Sequence, residues 1–293
     1  MEEHGDEGMG EPDLRLGETL TYLQHAASGR WLSYEAYETK KRGLGRVEEK
    51  KATLLVEGHM DDLFSLVRAQ DEEIKSASAI RRCTAVFSSF VNTLRYICPP
   101  HQTGYSGPQI QPLNPQSPAI LRLTSGVLLG EVTQCLEDLI DFFAQPDPHE
   151  EHEVRQAKLA ALRNRQNLFQ NEGMIGCVLN TIERFTGTFQ TRREFSQVVG
   201  EDKSEQFDRL GNYLYLLLAA LIRGNRENCA QFATPSRLDW LFNRLELQEG
   251  FAEGVLDALH CVLTDSDEAL YLITERHIRT LISLLDKQGR DPR

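Results

Sequence analysis

The feature that most constrains this chain is a repeat in its C-terminal third. NRENCAQFATPSRLDWLFNRL, starting at Asn225, and SDEALYLITERHIRTLISLL, starting at Ser266, align at an offset of 41 residues with a one-residue gap. Phe232 then falls on Ile273 and Leu238 on Ile278. Apolar residues within each unit recur at helical spacing, which predicts short amphipathic helices. A unit of this size cannot bury its apolar face alone and must stack on a neighbour. An earlier segment, ALRNRQNLFQNEGMIGCVLNTIERF at 161–185, echoes LIRGNRENCAQF at 221–232 at an offset of 61. It reads as a third copy, its excess length lying in a polar loop around 186–204.

A period of about 40 to 47 residues in an all-helical stretch is that of armadillo or HEAT repeats. The expected fold class is therefore mainly α, with helices near 150–171, 174–185, 206–223, 226–232, 236–247, 250–264 and 276–286. Upstream, Ile74, Ile80, Phe87, Phe90, Leu94 and Ile97 fall close to one helical stripe. Asp71, Glu72 and Glu73 occupy its first turn, where the helix dipole favours negative charge. A second stripe runs from Val127 to Phe143. Between them PPHQTGYSGPQIQPLNPQSP, residues 99–118, holds six of the eleven prolines and reads as an insertion.

Ahead of Asp71 the pattern changes. ETLTYLQHAASGRWLSYEA at 18–36 reads as a β-hairpin turning at Ser28-Gly29, KKRGLGRVEEKK at 40–51 as a solvated loop, and ATLLVEGHMDDLFSLVRAQ at 52–70 as further strands. The expected organisation is a disordered acidic tail at 1–15, a small β segment at 16–70, and a helical domain at 71–293 with the Pro-rich insertion at 99–118.

Acidic residues outnumber basic ones by 44 to 32, for a net charge of −12, which argues against a nucleic-acid or anionic-membrane surface. The six cysteines, Cys83, Cys98, Cys135, Cys177, Cys229 and Cys261, form no CxxC pair and read as reduced, mostly buried thiols. MEEHGDEGMGEPD lacks the basic and apolar regions of a signal peptide. The longest apolar run, YLYLLLAALI at 213–222, is ten residues, against about 20 for a bilayer span.

Chemistry-bearing motifs are scarce. PHEEHE at 148–153 spaces His149 and His152 three apart where a zincin needs four, and EGHMDD at 57–62 lacks the alternating oxygens of a calcium loop. No nucleophile elbow, P-loop or dinucleotide fingerprint occurs. The sequence thus predicts no catalytic residues, no metal or cofactor site, and no enzyme. On the 161–170 helix, Leu159, Leu162 and Phe169 form the expected buried stripe, while Arg163, Asn167 and Gln170 share another face. Three basic residues there would cradle phosphates. With only Arg163 basic, the face reads as a polar seam between repeats, arginines pairing with carboxylates and Asn satisfying turn backbone.

LGETLTYLQHAASGRWLSYEA followed by VEGHMDDLFSLVRAQDEE resembles the end of the second MIR-type β-trefoil in the N-terminal cytosolic region of ryanodine receptors. ALRNRQNLFQNEGMIGCVLNTIERF, LLAALIRGNRENCAQF, LDALHCVLTDSDEAL and HIRTLISLLDKQGR resemble the armadillo-like RIH domain that follows it. The likeness runs in order from about Leu16 to Arg290 and is weakest at 99–118 and 186–204. In the related inositol trisphosphate receptors the positions matching Asn167, Gln170 and Glu227 are basic. Their replacement here implies the ryanodine-receptor branch and no inositol trisphosphate site.

The resemblance implies a non-catalytic scaffold and gating segment of a homotetrameric calcium-release channel on the cytosolic face of the endoplasmic or sarcoplasmic reticulum. Its partners would be other domains and subunits, with no nucleic acid and no membrane insertion by this segment. Arg68, Arg163, Arg165, Asn167, Arg223 and Arg226 are the candidate interdomain polar contacts. Two other readings stand beside it: a standalone armadillo-like interaction module, and residual inositol-phosphate binding through Arg163, Arg165, Arg223 and Arg226.

Overall fold

The computed structural model describes residues 14–41, 45–97, 118–124, 126–188, 201–247 and 252–289. The expected acidic tail (but for its last two residues), the Pro-rich insertion (but for Pro118) and most of the 186–204 loop lie outside the described residues. The chain divides into two compact units, 1–71 and 72–293.

In the first unit the strands are β1 (Leu20–Thr21), β2 (Trp31–Lys41), β3 (Gly45–Leu55) and β4 (Phe64–Ser65). β2 and β3 form an antiparallel hairpin running from Trp31 opposite Leu55 to Lys41 opposite Gly45, and β1 pairs with β4. This corrects the expected strand pairing. The turn at Ser28-Gly29 exists, with Gly29 at φ 65° and its N–H donating to the His25 carbonyl at 2.8 Å. Its flanks meet in a single bridge, Gln24 to Trp31, before parting to different sheets. The stretch at 40–51 lies largely in strands. Its Lys and Glu residues suggested a solvated loop, yet the register sets Glu35 opposite Lys51, a charge pairing that suits a cross-strand position.

The second unit begins with α1 (Asp71–Ile97), α2 (Pro118–Thr124), α3 (Val127–Phe142), α4 (His152–Asn171) and α5 (Met174–Thr188). It continues through α6 (Glu201–Ile222), α7 (Arg226–Ala230), α8 (Pro235–Leu247), α9 (Ala252–Asp265), α10 (Asp267–Leu270) and α11 (Glu275–Gly289). Most of the apolar stripe residues point into one continuous core that runs from Cys83 to Ala269, while Ile74 and Val127, at the outer ends of the first two stripes, are exposed. The run YLYLLLAALI explains itself here. Leu214, Tyr215, Leu217, Leu218, Ala219, Leu221 and Ile222 are all buried, so the C-terminal half of α6 is apolar all round and is packed on by α3, α4, α5, α7 and α9. Among the described residues no helix is long and apolar enough to cross a membrane.

The 41-residue repeat is visible as geometry. Long α6, short α7 and α8 are followed by long α9, short α10 and α11, with Asn225 and Ser266 as N-caps of the short helices. Thr234 and Thr274 then precede α8 and α11, their hydroxyls facing the N–H groups of Arg237 and His277 at 3.4 and 3.5 Å. The third copy does not share this form. Residues 163–170 lie inside α4, whereas their aligned partners at 224–231 span a glycine turn and α7. The shared Arg and Asn residues serve a helix flank in one place and a helix cap in the other.

Candidate functional site

The polar seam is built where α4 crosses the C-terminal end of α6. Leu162 and Phe169 are buried and Leu159 is half-buried, as the stripe predicts. Gln166 sits between them with no exposed surface, and its amide donates to the carbonyls of Ala220 at 2.9 Å and Arg223 at 3.0 Å. The last carbonyls of a helix lack helical partners and need them from elsewhere. Asn228 Nδ2 donates to the Leu221 carbonyl at 2.9 Å and the Cys229 thiol to that of Ile222 at 3.1 Å, so all four carbonyls from 220 to 223 are met. Asn225 joins the two sides. Its Nδ2 donates to Asn167 Oδ1 at 2.8 Å while its Oδ1 accepts from the Asn228 N–H at 3.1 Å.

Arginines line the rim of this seam, each held by a carboxylate. Arg165 lies over the Phe142 ring at 4.8 Å and pairs with Glu72 at 3.2 Å. Arg223 pairs with Asp257 at 2.7 Å, and Arg226 with Asp267 at 3.3 Å and Glu268 at 3.7 Å. Asp265 accepts from the Gly224 N–H at 2.8 Å. Glu72 comes from α1, whereas Asp257, Asp265, Asp267 and Glu268 come from α9 and α10, the next repeat unit, so the contacts of Arg223, Gly224 and Arg226 tie successive units together.

Of the six residues proposed for interdomain contacts, Arg165, Asn167, Arg223 and Arg226 therefore meet partners inside the helical unit. Arg163 stands exposed on α4, and Arg68 is exposed in the first unit. Gln166, Asn225 and Asn228 complete the seam and were missing from the candidates. Gln166 carried a readable signal: it occupies a stripe position four residues from Leu162 and three from Phe169. A polar side chain buried there must find partners.

A second polar cluster joins α8 and α11. His277, 2% exposed, stacks on Phe242 with ring centroids 4.2 Å apart, and its Nε2 lies 2.7 Å from Asp239 Oδ1. Its Nδ1 accepts from the Thr274 N–H at 3.2 Å, which places the ring proton facing Asp239 on Nε2. Glu246 accepts from the Thr280 hydroxyl at 2.5 Å and from Arg276 at 3.3 Å. The Thr280 hydrogen bond, with Arg276 next, holds the Glu246 carboxyl below its ordinary range.

Chemically, both clusters join helices. Burial pushes the Cys229 thiol up to about 12 and raises Cys261, so both remain protonated. Cys83, Cys135 and Cys177 are likewise free thiols. Among the described residues no group of three His, Cys, Asp or Glu could hold a metal ion. The two motifs weighed for metal binding are local turns instead. The His149 N–H donates to Asp147 Oδ1 at 2.8 Å, and His59 Nδ1 lies 3.6 Å from Asp61.

Comparison with known families agrees with this build. A family model for the MIR domain matches residues 1–67, and one for the RIH domain matches residues 133–293, more than half of the chain. Both domains are characteristic of ryanodine and inositol trisphosphate receptors, which are channel receptors and not enzymes. Armadillo-like units locked by amide and ion-pair seams, preceded by a small β unit, are what this protein presents, and the chain belongs to the RIH-domain family of ryanodine and inositol trisphosphate receptors.

Proposed function

We propose that this chain is a non-catalytic scaffold and gating segment of a ryanodine-receptor-type calcium-release channel. It acts through contacts among domains and subunits of a homotetramer on the cytosolic face of the reticulum membrane. A segment of this kind biases a closed or open state by the difference in its contacts between the two, a coupling of about 1–3 kcal/mol in typical cases. Residues 16–70 are assigned to the end of a MIR-type trefoil and residues 71–293 to the RIH domain. Arg163 and Arg68, exposed on their respective units, are the positions proposed to meet other domains.

The observation that carries the choice of branch is the occupancy of the α4 face. Asn167 and Gln170 stand where the sister branch keeps positive charge, and Asn167 is engaged with Asn225. Arg165, Arg223 and Arg226 already hold carboxylates, so a phosphate ligand would have to displace the ion pairs of all three arginines. Calorimetric titration of the chain with inositol trisphosphate is expected to give no heat up to millimolar ligand. A stoichiometric binding isotherm would overturn the assignment.

A standalone helical-repeat interaction module is the second reading, favoured by the half-exposed Ile278 and Ile282 on α11. The reading frame around the coding sequence separates the two: pore-forming helices downstream support the channel, and a complete short transcript supports the module.

A further inference from the structure

The junction between α8 and α11 shows how one repeat unit covers the next. The face of α8 formed by Asp239, Phe242, Asn243 and Glu246 receives His277, Arg276 and Thr280 of α11. Phe242 is 1% exposed as a result. α11 starts 40 positions after α8, each behind its Thr cap, so the equivalent face of α11 is Arg279, Ile282, Ser283 and Asp286. All four are exposed, and Ile282, in the place of Phe242, is 53% exposed beside Ile278 at 49%. A terminal unit that needs no neighbour presents a polar outer face. This face keeps its apolar centre.

The charges on the face say what fits it. Twice in this chain the third residue of a helix points an N–H group at a carboxylate on a helix of the preceding unit: the Arg237 guanidinium at Glu183, 3.9 Å away, and His277 Nε2 at Asp239, 2.7 Å away. At the next step the carboxylate position is taken by Arg279, whose partner is its own helix neighbour Glu275, both more than three-quarters exposed. Surface pairs of that kind contribute little and yield to a better-placed carboxylate. Asp286 keeps the sign of Glu246, which Arg276 meets.

We propose that the outer face of α11, centred on Ile282 and flanked by Arg279 and Asp286, docks an amphipathic helix with a carboxylate as its third residue and a basic residue beside it. The inference rests on the internal repeat and stands whether or not the branch assignment holds.

The probe is a stapled peptide of residues 274–289 carrying His277→Glu, titrated into the full chain by fluorescence anisotropy. Saturable binding is expected, weakened at least tenfold by Ile282→Asp in the chain and severalfold by Arg279→Glu. The second loss is expected to be recovered by a peptide carrying His277→Lys, a swap that a merely sticky apolar surface would not follow. Circular dichroism and melting establish that the variants fold. Should Ile282→Asp unfold, the Arg279→Glu swap with its compensating peptide decides alone. Absence of saturation at millimolar peptide, or binding indifferent to Arg279→Glu, overturns the proposal. So does sedimentation showing that the chain pairs with a second copy through this face and that Arg279→Glu leaves the dimer intact.

Discussion

Gln166 donates both amide hydrogens to carbonyls at the end of a helix it does not belong to. Gln166→Ala leaves the carbonyls of Ala220 and Arg223 without donors, at about 1–3 kcal/mol for an unsatisfied buried group. In a chain of this size that lowers Tm by roughly 2–4 °C per kcal/mol. Gln166→Glu is expected to be worse, because it turns a buried carboxylate towards the same two carbonyls. Urea and thermal melts of both variants check the order. Glu246 gives a pH signature. Its folded pKa lies below the unfolded value of about 4.3, so its contribution is fully present above that pH and is lost as pH falls through the lowered folded value. Thr280→Val removes the leading cause, and urea midpoints measured from about pH 5 to pH 3 should then fall less steeply with acid than in the native chain. At this scale the sequence was half legible. Arg163 and Arg165 cannot be told apart by composition, and two positions along a helix decide which one faces Glu72 and Phe142.

Between elements, α9 approaches α6 tightly at Gly254. The Gly254 N–H donates to Asn212 Oδ1 at 2.8 Å, and a Cβ at Gly254 would lie 2.7 Å from the Asn212 carbonyl oxygen and 2.8 Å from Tyr215 Cβ. Gly254→Ala improves helix propensity by about 1 kcal/mol, but both of those contacts involve backbone or Cβ atoms that cannot swing aside. Pushing α9 away from α6 costs about 1–3 kcal/mol, so the net expectation is a lower Tm with unchanged far-ultraviolet circular dichroism. Helices were the legible elements because their apolar stripes carry a period. The β2–β3 hairpin was not, because its charged stretch offers no alternating apolar face, and the register sets like charges opposite at Glu38–Glu48 and Lys40–Arg46 as well as Glu35 opposite Lys51. The repeat was legible where caps and apolar anchors recur together, at 225–247 and 266–289, and misleading where only the polar residues recur.

For the whole molecule, every residue of the continuous hydrophobic core lies between Cys83 and Ala269, inside the second unit. Residues 72–293 expressed alone should therefore melt cooperatively with native helical content. Calorimetry showing a broad, non-cooperative transition would refute this. Family membership was legible from long ordered motifs. The lock between units was not, since it depends on which amide reaches which carbonyl across a sequence separation of 54 to 57 positions. That lock has a mechanical meaning. Carbonyls 220 and 223 lie three residues apart along the end of α6, and one rigid amide reads both. Sliding α4 along the joint by about an ångström would lengthen both bonds together past hydrogen-bond reach. The seam therefore works as a key: it fixes the register of α4 against α6 and resists a shift of one unit along the next.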